Sequence, residues 1–354
     1  MNAWEKYIRQ VVPYVPGEQP DDPSVIKLNT NENPYPPAPG VEKKREEIKD
    51  LRLYPDPAAS MLVEAIADDQ GLKKEQVFVG VGSDDVLAMA FMTFFNSEKP
   101  IFFPDVTYSF YDVWADLFRI PYKKRPLDAH FQICPEDYYG ENGGVIFPNP
   151  NAPTGLCMPV DMIRDILAHN QDVVVIVDEA YIDFGGVSAR CLLEEYDNLL
   201  VVQTFSKSRS MAGMRIGYAL GAEKLIRALQ NVKYSFNSYT MNQPSLILGT
   251  ASLKEKAYFR ETVEKIIRTR EWFKEEMRKL GFSFPDSQAN FLFVTHAAVP
   301  AKAIFEAARE EKIYVRYFPK ERIDNYLRIT IGTDEEMKVL LAFLKEYLQN
   351  YRSN

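Results

Sequence analysis

The sequence predicts an α/β protein: a large domain with a mostly parallel sheet between helices, joined to a smaller α+β domain. Three observations predict it. From about residue 60 to 250, short β-branched or aromatic runs alternate with helical patterns, and such alternation builds a parallel sheet covered on both faces. After Gly281 the pattern changes to a compact mixture of strands and helices. A chain of 354 residues with 46% hydrophobic content is also too long for one simple core.

Residues 1–44 are rich in Pro and Asn and close on PPAPG, which predicts an irregular arm with at most one short helix. The expected strands and helices then follow in order: VFVGV (77–81) and a helix over 84–95; IFF (101–103) and 107–118; VIF (145–147) and 159–169. Next come VVVIV (173–177), LLVVQTF (199–205), and IGYAL (216–220) with a helix over 222–230. A long charged helical stretch, roughly 253–280, leads to NFLFVT (290–295), a helix over 300–311, IYVRYF (313–318), YLRITIG (326–332) and a final helix from 334. The expected division is a large domain over 45–260, with 1–44 and 261–354 forming the arm and the small domain. The chain shows no internal repeat and no low-complexity segment.

Composition excludes several function classes. A net charge of −8 and a pI near 5.2 oppose a nucleic-acid or anionic-membrane surface, either of which calls for clustered positive charge. Cys134, Cys157 and Cys191 have neither C-x-x-C spacing nor an even count, and a reducing cytoplasm fits them best. The longest apolar run, VVVIV, is far short of the roughly 20 residues that span a bilayer, and no secretory leader is visible. His130, His169 and His296 are scattered, so no metal site is expected.

Chemistry concentrates where strands end, the edge at which such sheets bind ligands. Lys207, in TFSKSRSMAGMRIGY (204–218), has Thr204 three residues before it, Ser206 beside it and Arg215 eight residues after it. That is the pattern of a lysine beside a phosphate cup, although an isolated lysine is usually a solvated surface residue. Asp178 follows an apolar strand in VIVDEAYIDF, with Tyr181 three residues on. The carboxylate either caps a turn or pairs with a protonated ring nitrogen, which keeps a pyridinium cationic and strengthens it as an electron sink.

In GVGSDDVL (80–87), Gly82 permits close backbone approach, and the N–H groups of Ser83 and Asp84 would open a helix. They form either an ordinary N-terminal cap or an anion site with Thr204, Ser206 and Arg215. Tyr108 could stack on a flat cofactor, in competition with Phe110, Tyr111 and a plain core role. Asn151, in NPNAPTG (149–155), could offer an amide to a cofactor oxygen, though a generic turn also explains that loop.

In their order and spacing, GSDDVL, TYSFY, NPNAPTG, VDEAY, SKSRSMAGMRIGY and LRITIG resemble the fold-type I pyridoxal-phosphate aminotransferases. KLNTNENPYPPAPG (27–40) followed by YPDP (54–57) resembles their histidinol-phosphate aminotransferase branch, and the likeness runs from about residue 10 to 340. It implies pyridoxal 5'-phosphate as cofactor, Lys207 as the attaching lysine and proton shuttle, Asp178 as partner of the ring nitrogen, and Tyr181 as donor to the ring oxygen. Tyr108 would stack on the ring, while Gly82, Ser83, Asp84, Thr204, Ser206 and Arg215 would hold the phosphate. Tyr54 would reach the cofactor phosphate of a second subunit, which implies a homodimer with shared sites.

The resemblance further implies that Arg328 meets the carboxylate of glutamate or 2-oxoglutarate, and that Arg316 and Tyr14 face the phosphate of histidinol phosphate. One position departs from the family. The amide that ordinarily touches the ring oxygen is replaced by Ala152, leaving Asn151 as the nearby amide and Tyr181 to supply that hydrogen bond. The implied function is amino transfer from histidinol phosphate to 2-oxoglutarate in histidine biosynthesis. The alternatives are an aromatic amino acid aminotransferase, a threonine-phosphate decarboxylase and, outside enzymes, a cofactor-binding regulator. The last would need a DNA-binding module, for which the chain has neither room nor a basic stripe.

Overall fold

The computed structural model describes residues 2–353. In chain order the regular elements begin with β1 (Ile26–Lys27), α1 (Pro39–Lys44), α2 (Ser60–Gln70), β2 (Val77–Gly80), α3 (Ser83–Phe94), β3 (Ile101–Pro104), α4 (Phe110–Phe118) and β4 (Tyr122–Arg125). They continue with β5 (Val145–Pro148), α5 (Val160–Ala168), β6 (Val175–Asp178), β7 (Leu199–Thr204), β8 (Gly217–Gly221), α6 (Glu223–Phe236), α7 (Gln243–Lys254) and α8 (Lys256–Lys279). The chain closes with β9 (Phe282–Ser283), β10 (Phe291–His296), α9 (Ala301–Glu310), β11 (Ile313–Tyr314), β12 (Arg316–Tyr317), β13 (Leu327–Thr330) and α10 (Asp334–Ser353).

The apolar runs form a seven-stranded sheet in the order β2-β8-β7-β6-β5-β3-β4. Every neighbouring pair is parallel except those of β8, which runs antiparallel to both β2 and β7. Side chains alternate between two cores. Val145, Phe147, Val175, Val177, Leu199 and Val201 pack on one face, while Ile146, Ile176, Leu200 and Val202 pack on the other. Both faces are dry, so these strands read as unbroken apolar runs. Each such side chain contributes about 1.5–3 kcal/mol of burial.

A four-stranded antiparallel sheet, β12-β13-β10-β9, carries the second layer system. Its core joins Leu292, Val294, Leu327 and Ile329 to Ile266, Phe273 and Met277 of α8. The arm attaches here: β1 pairs in parallel with β11 through Ile26 and Ile313, and Thr330 N–H donates to the Leu28 carbonyl at 3.0 Å. IYVRYF is therefore two strands rather than one, with β11 serving the arm and β12 the sheet.

The charged stretch over 253–280 is likewise divided, because Glu255 leaves helical geometry (φ −91°, ψ 48°) between α7 and α8. Five elements, β1, α2, β4, α7 and β9, extend beyond the expected pattern. β4 has the sequence YKKR with Lys123 and Lys124 exposed. An edge strand tolerates such charge because only one side pairs, and the apolar signature is then lost.

Candidate active site

Sheet direction gathers the site. β2, β3, β5, β6 and β7 all end at one edge, and β8, being antiparallel, begins there. The residues after five strands and those just before a sixth therefore meet, which brings Gly82, Tyr108, Asn151, Asp178, Thr204 and Arg215 to one rim.

Where β2 turns into α3 and forms a cradle with Arg215, Gly82 adopts φ +84°, a conformation that favours glycine. A Cβ there would stand 2.5 Å from Arg215 Nη2, so the guanidinium lies directly over the backbone. Gly217 allows an equally close approach, since its Cβ would fall 2.3 Å from Ser83 N. No side chain caps α3, whose first turn begins at Ser83 and Asp84, and an uncapped helix start presents N–H donors and a positive dipole end. Thr204 Oγ1 lies 3.0 Å from Ser206 Oγ and receives Ser206 N–H at 3.1 Å, and both residues are buried. Asp84 closes the cradle, 3.4 Å from Arg215 Nη2 and accepting from the Tyr108 hydroxyl at 2.8 Å.

Asp178 stands at the end of β6, only 5% exposed. The Tyr111 hydroxyl donates to its Oδ2 at 2.9 Å and Ala180 N–H to its Oδ1 at 3.2 Å. Burial nevertheless pushes the carboxyl up to about 6, with Asp84 adding to the rise and Lys207 opposing it. No ion pair to Asp178 is formed among the described residues, so its two hydrogen bonds are what hold the carboxyl. Tyr108 is half-buried in an aromatic wall with Tyr14, Phe110, Tyr111 and Trp114.

Lys207 Nζ donates to the Thr30 carbonyl at 3.1 Å and sits 5.7 Å from the centre of the Tyr181 ring. Tyr181 Oη accepts from Asn31 Nδ2 at 2.9 Å, and its ring meets Phe291 edge-on at 5.0 Å. The arm thus touches both residues through consecutive positions, Thr30 and Asn31.

Arg316 and Arg328 are Cα partners across β12 and β13, so they project from the same face of the sheet. Arg328 Nη2 donates to the Asn29 carbonyl at 2.9 Å, while its buried Nε has no partner. Burial holds its ionisation below the usual arginine range, with Arg316 contributing to the depression. Arg316 donates to the Pro16 and Val15 carbonyls at 3.4 and 3.3 Å. Tyr14 stacks on Phe110 at 4.2 Å, and burial raises its hydroxyl against the pull of Arg316 and Arg328. Two arginines thus stand side by side on one face of the sheet, Arg316 donating to two backbone carbonyls of the arm and Arg328 to one.

Two of the expected residues have other engagements. Tyr54 is 82% exposed and meets the Tyr239 ring at a tilt, with centroids 4.6 Å apart, on the outside of the chain. Asn151 holds its own loop: Nδ2 donates to Val106 O at 3.0 Å and lies 3.2 Å from Thr154 Oγ1, and Oδ1 accepts from Thr107 at 3.0 Å. Ala152 packs with Ala289, Phe291 and Tyr181. The sequence reading assigned no chemistry to Asn31, Thr30 or Asn29, although KLNTNENPYPPAPG drew attention to their segment, and it weighed Tyr111 only as a rival stacking residue. Among the described residues no group of three His, Cys, Asp or Glu could hold a metal ion, and no helix is long and apolar enough to cross a membrane.

The sequence profile described as aminotransferase class I and II matches residues 23–344. The chain is 51% identical to histidinol-phosphate aminotransferase of Lactococcus lactis subsp. cremoris, over 98% of both proteins. It is 50% identical to histidinol-phosphate aminotransferase of Acinetobacter baylyi, again over 98% of both. Its fold is shared with histidinol-phosphate aminotransferase of Sinorhizobium meliloti, solved in complex with pyridoxal-5'-phosphate, at a TM-score of 0.83 and 23% identity over 92% of this chain and 91% of that one. An α/β sheet that gathers the Gly82 turn with Arg215, a buried aspartate and a lysine at one rim, within a sequence matched this extensively, places the chain in the class I and II aminotransferase family.

Proposed function

We propose that this protein is a pyridoxal-phosphate-dependent aminotransferase that moves the amino group of histidinol phosphate to 2-oxoglutarate. The observation that carries the reading is the pairing of Arg316 with Arg328 across β12 and β13, in a chain half identical to histidinol-phosphate aminotransferases. Two anions suit two guanidinium groups: Arg328, with its unpartnered Nε, takes the α-carboxylate of the oxo acid or glutamate. Arg316, beside Tyr14, takes either the distal carboxylate or the substrate phosphate, since a guanidinium fork fits both.

The residues present fit the cofactor. Gly82, Ser83, Asp84, Thr204, Ser206 and Arg215 form a cradle that a Cβ at position 82 would fill, and Asp178 is a buried carboxyl whose charged form a protonated ring nitrogen would stabilise. Bound pyridoxal phosphate supplies the electron sink. Asp178, kept oriented by Tyr111 and Ala180, would hold the ring nitrogen in its protonated form. Lys207 Nζ would hold the cofactor, and as a free amine it would take the proton from the substrate's α-carbon and return it to the substrate side of the site. Tyr181 would donate to the ring oxygen, and Tyr108 would cover the ring.

The rest of the reading concerns assembly and setting. A homodimer, with Tyr54 reaching the second subunit's phosphate cradle, accounts for the exposed Leu51, Leu53, Tyr54 and Phe236. The cofactor unit spans 45–260, and 261–354 with the arm 1–44 forms the smaller one, in line with the pairing of β1 to β11. The cytoplasm is the expected compartment. The test compares amino transfer from histidinol phosphate, phenylalanine and tyrosine to 2-oxoglutarate with carbon dioxide release from threonine phosphate. Preference for histidinol phosphate is expected, and dominant decarboxylation would reject the assignment.

A further inference from the structure

Position 152 lacks the amide that would steady a cofactor oxygen, and the contacts around Tyr181 show where another is found. Asn31 is 1% exposed and lies at φ +57°, a left-handed conformation in which asparagine is one of the few tolerated side-chain-bearing residues. Its backbone N–H donates to Thr330 Oγ1 at 3.0 Å, and its carbonyl accepts from Asn290 Nδ2 at 3.0 Å. Because Thr330 Oγ1 accepts that N–H, its single hydroxyl proton goes to Asn31 Oδ1, 3.0 Å away. This donor and acceptor pattern fixes the amide's orientation. The atom facing Tyr181 is Nδ2, a donor, at 2.9 Å.

A phenol that already accepts one hydrogen bond keeps its own proton for another acceptor. Ala152, Phe291 and Ala289 pack apolar groups around the Tyr181 ring, and Thr30, the residue before Asn31, accepts from Lys207 Nζ. We infer that Asn31 is the positioning residue that replaces the amide missing at Ala152, by donating to Tyr181 so that the tyrosine's proton is delivered to the ring oxygen of the cofactor beside Lys207. The inference rests on the cofactor reading above. A donor onto the ring oxygen favours its anionic charge, so losing that donor raises the pH at which the bound cofactor's visible absorption changes.

The experiment reads that pH midpoint by absorbance in the wild-type holoenzyme, Asn31→Ala, Asn31→Asp, Tyr181→Phe and the Asn31→Ala/Tyr181→Phe double variant. Asn31→Asp is nearly isosteric but presents an acceptor, so it draws the Tyr181 proton away from the cofactor. It also keeps the inference testable should Asn31→Ala fail to fold. Midpoints about 0.5–1 pH unit above wild type are expected for the Asn31 variants, with no further rise when Asn31→Ala is added to Tyr181→Phe. Wild-type midpoints in both single Asn31 variants would overturn the inference, as would an undiminished shift in the Tyr181→Phe background. A wild-type protein that develops no visible band with pyridoxal phosphate would instead overturn the cofactor reading itself.

Discussion

The Tyr111 hydroxyl donates to Asp178 Oδ2 at 2.9 Å, with both side chains buried behind the rim of the sheet. A donor stabilises the charged carboxylate, so it opposes the rise that burial imposes on Asp178. Tyr111→Phe removes the donor and keeps the ring. Cofactor affinity that depends on ionised Asp178 should then fall off at a pH about 0.5–1 unit higher than in the wild type. Dissociation constants measured from pH 5 to 8 check this, and coincident curves would remove the Tyr111 contact from the account.

Asp178 also carries a stability consequence in the apoprotein. Its folded value of about 6 exceeds the ordinary 3.8, so between these values the folded state binds more protons than the unfolded one. Stability from this group is therefore full below the unfolded value and declines as pH rises toward 6. At neutral pH the charged form costs on the order of 2–3 kcal/mol. Asp178→Asn should raise the melting temperature of the apoprotein at pH 7 while weakening cofactor binding. A lower melting temperature for the variant would contradict the burial argument.

Arg316 and Arg328 stand opposite each other in the sheet, but their environments differ. Arg328 is tied to Asn29 with a buried, unpartnered Nε, whereas Arg316 reaches the arm at Val15 and Pro16. Arg316→Ala should lower kcat/KM for histidinol phosphate by about 10²-fold, the worth of a charge-assisted bidentate contact. The loss for phenylalanine should be smaller. Steady-state kinetics with both donors decide it, and equal losses would withdraw Arg316 from phosphate recognition.

Tyr54 lies outside its own chain's site, at 82% exposure. In a homodimer with shared sites, Lys207→Ala and Tyr54→Ala should each be impaired alone. Mixing the two after dissociation should restore up to about one functional site per hybrid dimer. Activity that does not rise on mixing, with hybrid formation verified by mass, would place Tyr54 away from the partner's cradle.

Much of the fold was legible because its signals are local. Apolar runs such as VVVIV and LLVVQTF mark β6 and β7, since a strand dry on both faces leaves no polar residue to interrupt it. Lys207, Asp178, Tyr108 and the Gly82 turn stood out because each stands at or shortly after a strand end. β4 escaped because an edge strand built from YKKR carries the polar residues an edge needs. Asn151 shows the opposite limit: an amide of the right type at the right place, whose atoms are engaged by Val106, Thr154 and Thr107.

The sequence by itself determined which residues would stand at strand ends and what chemistry each could offer, because periodicity and residue type are properties of short windows. Only the tertiary structure decided how they are joined. The antiparallel entry of β8 sets Arg215 over Gly82. Tyr111 meets Asp178 across 67 positions, and Asn31 meets Tyr181 across 150. Hydrogen bonds of 2.9 Å depend on where the backbone returns in space, and no local pattern records that return.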